Sequence, residues 1–353
     1  MKQLFILIIV VVVMSCGSNT QKGLHSAFDD DEYIAPQFPA EYKVEITHLN
    51  DDVVCGRSFS MHLCDSVVML RMRNADNNNV FQLFSLPDGK FRGSFANYGR
   101  AENELLSYNL TTIDREQGVM YAADNNKYIV IDMRESFTRR KMVIKHSSSL
   151  WGRSNAIAME YRGGRMLLSQ GWGPRFFTTD EFFTDTVALY DLRPYVSPEF
   201  EADTILNKTY FAQNIRITVR PNGRRLATAT RFGMLMEIFE VETDTMERIA
   251  LRRFYKPSME NGGNYGTDDC IWGASGIYST DKYIYLLYRD CPVSEIDKTI
   301  PIIGVFDWNG NEVCRYRLNE RVINFVITPD DSRLYCWARD KEGNEFLGYF
   351  DLK

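Results

Sequence analysis

From residue 42 to the C-terminus, short runs rich in Val, Ile, Tyr, Phe and Leu alternate with polar clusters, and helical periodicity is scarce. Pro87-Asp88-Gly89, Pro221-Asn222-Gly223 and Trp308-Asn309-Gly310 read as hairpin turns. Asp-Gly and Asn-Gly tolerate the positive φ that tight hairpins require. No strand–helix–strand alternation appears, so the pattern predicts an antiparallel all-β domain.

A unit recurs within this pattern: a strand, a polar turn, then a strand with alternating aliphatic and aromatic residues. Its turns centre near Asp65, Gln117, Gly163, Gly223, Asp281 and Asp331, at intervals of 52, 46, 60, 58 and 50 residues. Each interval holds a four-stranded antiparallel sheet, which is one blade of a β-propeller. Later strands are expected over 80–86 and 91–96 in the first unit, and over 127–133 and 141–145 in the second. In the fifth they are expected over 301–307 and 312–318. The last unit is one strand short, because the chain ends after 346–352. A strand over 42–49, ahead of the first unit, would complete it and remove the open edges. The expectation is an all-β, six-bladed β-propeller with four-stranded antiparallel blades over residues 41–353, its ring closed by an N-terminal strand.

The N-terminus has a different pattern. Met1-Lys2-Gln3 is followed by an unbroken apolar run from Leu4 to Met14. Eleven residues at about 1.5 Å each span roughly 17 Å, short of a ~30 Å hydrocarbon core, so the run reads as the apolar region of a signal peptide. Polar residues follow, with Asp29-Asp30-Asp31-Glu32 and two prolines. The expected organisation is a signal peptide over 1–15, a flexible tether over 16–40 and the propeller beyond. Four adjacent acids without a turn-forming glycine read as solvated linker rather than a cation site.

The net charge of −6 argues against nucleic acid or anionic lipid as the main partner. Seven cysteines are present, with no CxxC or metal-like spacing. Cys55 with Cys64, and Cys270 with Cys291, are candidate disulfides. Most of the six cysteines beyond Cys16 sit in apolar, strand-like segments and read as small buried hydrophobes.

Val13-Met14-Ser15-Cys16-Gly17 resembles a bacterial lipobox, which implies that Cys16 is acylated and becomes the mature N-terminus. Arg220-Pro221-Asn222-Gly223-Arg224 and Thr328-Pro329-Asp330-Asp331-Ser332 are similar to the Ser-Pro-Asp-Gly-Lys turns of TolB-like propellers. Gly99-Arg100-Ala101-Glu102-Asn103-Glu104 resembles the Gly-Arg-Gly-Pro-Gly-Glu segment of the six-bladed TolB-like propeller lipoproteins of Bacteroides-type bacteria. Gly99, Arg100 and Glu104 match, while the central Gly-Pro-Gly is replaced. Asp65-Ser66-Val67, Asp185-Thr186-Val187, Asp203-Thr204-Ile205 and Asp244-Thr245-Met246 are similar to O-glycosylation acceptors in such bacteria, and equally to plain turn chemistry. The resemblance implies a six-bladed propeller in the cell envelope. Gly17-Ser18-Asn19-Thr20 lacks the acidic residues of a surface-export signal, which points to the outer membrane facing the periplasm.

No HExxH, GxSxG or P-loop pattern occurs, and the four histidines are scattered. Binding groups concentrate instead in three loops: Tyr98, Arg100 and Glu104; Trp172 and Arg175, which flanking glycines are expected to expose; and Tyr265 with Trp272. These seven are the candidate ligand-binding residues. Trp172 and Trp272 have a competing role as packing between blades. The expected function is a non-catalytic binding or scaffold module for a protein, peptide or glycan, acting through one propeller face. The alternative is a carbohydrate- or lactone-directed hydrolase or lyase using the central channel. No cofactor is expected unless the channel holds a divalent ion. The membrane is a partner through the lipid anchor only, and the protein is expected to be a monomer.

Overall fold

A computed structural model describes residues 32–353 except 52–56, 74–78, 102, 107, 115–116, 125–126, 150–155, 163, 171–173, 183–185, 243–244 and 264. The signal peptide, Cys16 and most of the tether lie outside the described residues. Six antiparallel sheets follow one another along the chain over residues 57–98, 108–149, 156–190, 215–255, 274–317 and 321–351, blades 1 to 6. The innermost hairpins turn at Asp65, Gln117, Gly223, Asp281 and Asp331, as the spacing predicts, and Arg162 pairs with Arg165 around the sixth. Asp65, Gly223 and Asp331 adopt positive φ in these turns.

The middle strands carry continuous apolar runs because both faces of each blade are covered. Tyr283–Tyr288 and Arg333–Arg339 each bury five successive side chains. One apolar cluster fills each seam between neighbouring blades. Tyr121 and Tyr128 of blade 2 meet Met166 and Phe177 of blade 3, for example, and Ile284 and Phe306 of blade 5 meet Ile238 of blade 4. The decisive seam joins the last blade to the first: Val326, Tyr335 and Trp337 pack with Met61, Val68, Leu70 and Phe84. Each fully buried side chain of this size contributes about 1.5–3 kcal/mol of transfer free energy. The ring is closed.

Closure uses the N-terminal segment in two pieces rather than one. Thr47–Asn50 pairs antiparallel with Glu345–Asp351 and supplies the missing strand of blade 6. Glu41–Lys43 instead adds a fifth, parallel strand to blade 5, with Glu41 opposite Arg315 and Lys43 opposite Arg317. Between them Ile46 is buried, its N–H donating to Asn319 Oδ1 at 3.0 Å. A Cβ on Gly348 would lie 2.6 Å from Ile46 Cγ2, so only glycine allows this approach. The compact unit begins at Tyr33, inside the stretch expected to be tether. Ile34 N–H donates to Arg253 O at 2.9 Å, and Phe38 packs edge-on against Phe306 at 5.3 Å.

Helices appear where strand patterning predicts none. Met133–Arg139 displaces the expected strand at 141–145 to Ile144–Ser149. Thr204–Gln213 is capped by Asp203, whose carboxylate accepts from Ile205 N and Leu206 N at 3.0 and 2.9 Å. One acceptor-like Asp-Thr pair thus starts a helix. Cys270, Cys291, Cys314 and Cys336 are buried unbonded thiols. The expected pairing of Cys270 with Cys291 is not made. The backbone bridge Ile271–Pro292 sets Cys270 opposite Val293 and Cys291 opposite Trp272, so the two thiols are offset. The candidate pair Cys55–Cys64 involves a residue outside the described ones.

Candidate functional site: the central channel

The six innermost strands surround the axis and enclose a cavity of about 1650 Å³. Its residues are less apolar than the seams because the innermost strands alternate. In Ile215-Arg216-Ile217-Thr218-Val219, Ile215 and Ile217 join the seam with blade 3, while all five line the cavity wall. The mouth lies at the innermost hairpins, where Gln117, Arg165, Glu181, Arg220, Arg224, Glu242 and Asp281 give it mixed charge. We call this the hairpin face, and the opposite side, where blades connect, the loop face.

Polar ties run between blades around the channel. His62 Nε2 lies 3.0 Å from Thr111 Oγ1 and 3.1 Å from Ser60 Oγ, linking blades 1 and 2. Thr112 Oγ1 donates to Glu160 Oε2 at 3.3 Å between blades 2 and 3. Between blades 4 and 5, Thr218 Oγ1 and Ser279 Oγ are 2.9 Å apart, and Arg216 Nε donates to Ser275 O at 3.0 Å. Burial, followed by the nearby charge of Arg231, pushes the Arg216 guanidinium down to about 9. Among the described residues, no group of three His, Cys, Asp or Glu side chains is placed to hold a metal ion.

The six described candidate residues all belong to connections on the loop face, and none of them lines the channel. Trp172 lies outside the described residues. Tyr98 ends the outer strand of blade 1, half-buried against the seam with blade 2. Arg100 is exposed. Glu104 folds back on its own loop, accepting from Ala101 N at 3.0 Å and occupying the space where Gly99 would carry a side chain. Tyr265 is exposed, and Trp272 packs edge-on against Phe232 at 5.2 Å. The first loop joins blades 1 and 2 and the third joins blades 4 and 5, half a ring away. The structure does not gather them into one site.

Arg175 departs most from expectation, being 1% exposed rather than displayed by its glycines. Its Nη2 donates to Glu237 Oε2 at 2.5 Å and its Nη1 to Leu192 O at 2.8 Å. The guanidinium also lies over the rings of Phe176 and Phe211 at 4.7 and 4.9 Å. Glu237 is wholly buried in blade 4 and needs a counter-charge from the neighbouring blade. Arg248 provides a second one at 2.9 Å. Burial alone would push the Glu237 carboxyl up, but the two guanidiniums hold it below its ordinary value.

What sequence reading missed is the polar content of the innermost strands, above all Arg216. A signal existed in the strict apolar–polar alternation of residues 215–219, which marks a strand with one wet side.

A closed ring of six antiparallel blades around an open polar channel defines a six-bladed β-propeller with a ligand-sized cavity. The chain belongs to the TolB-like propeller family: the family described as TolB-like 6-blade propeller-like matches residues 37–330. Among solved structures, a member of the DUF4221 family from Bacteroides vulgatus is similar at a TM-score of 0.60 and 10% identity, over 91% of this chain and 98% of that one. A Bacteroides fragilis protein described as exported is similar at a TM-score of 0.55 and 14% identity, over 89% and 99%. At such identities the likeness is one of fold. No curated protein matches the sequence.

Proposed function

We propose that this chain is an exported, lipid-anchored binding module of the cell envelope that takes its ligand into the central channel through the hairpin face. The observation that carries the binding role is the cavity itself. At about 1650 Å³ it exceeds the ~300–1,000 Å³ of ordinary small-molecule pockets, so it accommodates a ligand together with bridging water. Its polar ties join neighbouring blades, so a ligand reaching them contacts several blades at once. Export and anchoring rest on the apolar leader ending at Cys16, and a structurally similar Bacteroides protein is described as exported.

Two experiments test this reading. Growth with labelled palmitate should label the membrane fraction in the wild type and not in Cys16→Ser; equal labelling in both removes the anchor. Full-length protein in detergent should show saturable thermal stabilisation by a member of a panel of sugars, sugar acids and short peptides. A ligand at 100 times its Kd adds about 2.7 kcal/mol. Asn324→Trp, which places an indole on the channel wall, should weaken the shift; stabilisation that is unchanged in this variant locates binding elsewhere.

A further inference from the structure

We propose that the deep, loop-side end of the channel is an oxyanion site, in which Arg216 receives the carboxylate or phosphate of a small hydroxyl-bearing ligand and Arg231, a neighbour off the cavity wall, adds its positive charge. This rests on the channel-binding reading and names the ligand's chemical class.

Arg216 stands three residues before the last residue of the innermost strand of blade 4, about 10 Å from its hairpin at ~3.3 Å per residue. Its Nε donates to Ser275 O and its Nη1 to the carbonyl of Ile215, both at 3.0 Å. Its Nη2 has no protein partner among the described residues, and the side chain lines the cavity. No carboxylate among them lies within ion-pair distance. Arg231 is its neighbour: Arg216 pairs with Ala229 in the sheet ladder, and Arg231 follows two residues later. Arg231 also lacks an ion-pair partner among the described residues. Its Nε is buried without a hydrogen bond, and its guanidinium sits 5.6 Å from the Trp272 ring.

Two adjacent, partly desolvated cations without an anion are unfavourable for the folded state. A neutral side chain such as glutamine could donate to Ser275 O without that cost. The arrangement is the reverse of Arg175, whose surroundings answer its charge with Glu237. A guanidinium that offers free N–H groups to a cavity matches the two oxygens of a carboxylate or phosphate. At the same height, three residues before the ends of their strands, blades 2 and 6 place Thr111 and Asn324 on the cavity wall. These are neutral hydrogen-bonding groups suited to hydroxyls rather than to charge. Of the acidic side chains on the cavity wall, Asp114, Glu181, Glu242 and Asp281 stand at the hairpin end, and Glu160, on the innermost strand of blade 3, accepts from Thr112 across the blade 2–3 seam rather than pairing with Arg216.

The test is titration calorimetry on the full chain in detergent with galacturonate, glucose 6-phosphate, inorganic phosphate and neutral galactose. At least one of the two sugar anions should bind about tenfold or more tightly than galactose, the scale of a charge-assisted hydrogen bond. The better of the two tells carboxylate from phosphate, and inorganic phosphate alone should bind more weakly than the sugar phosphate. Arg216→Gln should lower the anion's affinity at least about tenfold with an unchanged far-UV spectrum, Arg216→Lys should retain part of it, and Arg231→Gln should cost a few-fold. Anions bound no better than galactose, or bound equally by Arg216→Gln, overturn the oxyanion site. If galactose and the anions bind alike and Asn324→Trp weakens all of them, the channel reading stands while this inference falls. If none of the four binds, the oxyanion site falls; if the wider panel of sugars, sugar acids and peptides also gives no thermal shift, channel binding falls with it.

Discussion

The seam between blades 3 and 4 buries an arginine and the deep end of the channel half-buries another, and they differ in what faces them. In the seam, Arg175 meets a carboxylate, a carbonyl and two aromatic faces, and Arg248 completes the neutralisation of Glu237. Every strong charge there is answered from within the chain, so the group holds two blades together rather than offering its charge to a ligand. In the channel, Arg216 braces one carbonyl across to blade 5 and keeps its charge uncompensated. Burial alone therefore does not say whether a guanidinium is structural. The question is whether its counter-charge is already inside the molecule.

The largest test of this contrast is Glu237→Gln. Breaking a buried pair strands two guanidiniums, and the loss should be about 3–5 kcal/mol, or roughly 10 °C in melting temperature for a domain of this size. The double variant Arg175→Met with Glu237→Leu should recover most of it, because an apolar seam needs no counter-charge. A Glu237→Gln melt within a degree of wild type would remove the seam from the argument. Acid gives a smaller and graded version. The folded carboxyl of Glu237 lies below its ordinary value near 4.5, so its stabilisation is complete above that pH and fades as pH falls through the lower, folded value. Urea midpoints should drop on this limb more steeply in wild type than in Glu237→Gln.

The smallest effect belongs to the channel. Arg216→Gln should leave stability within about 1 kcal/mol of wild type at pH 7, or raise it. The folded guanidinium, at about 9, lies well below its ordinary value. The folded state therefore binds fewer protons between these values, and wild-type stability gains as pH climbs through 9. The gap between variant and wild type should narrow there. A large destabilisation by Arg216→Gln at neutral pH would make this arginine a second structural brace and erase the contrast.

Much of the fold was legible because a propeller repeats one local rule six times. Turn chemistry at Asp65, Gly223 and Asp331 marks three of the innermost hairpins, and the strand deficit of the last blade announces its completion from the N-terminus. The division of that N-terminal segment between blades 5 and 6 was not legible. It depends on the room left by Gly348 and on the arginines facing Glu41, which are set by tertiary packing. The helix at Thr204–Gln213 was hidden because Asp203-Thr204 serves equally as a turn, a strand start or a cap. The site was less legible still. Loops rich in Trp, Tyr and Arg look like binding surface, yet Arg175 has its partner 62 residues away in the next blade. Arg216 carries no such compositional flag.

The two-piece N-terminal closure also has a mechanical consequence. A pull on the N-terminus is felt first by the contacts of Ile34 and Phe38, then by the parallel strand and forked ion pairs of Glu41, and only last by Thr47–Asn50 in blade 6. The ring therefore sits behind a series of sacrificial attachments on a neighbouring blade. Tension would peel these away before it reached the joint that keeps the six blades in a circle.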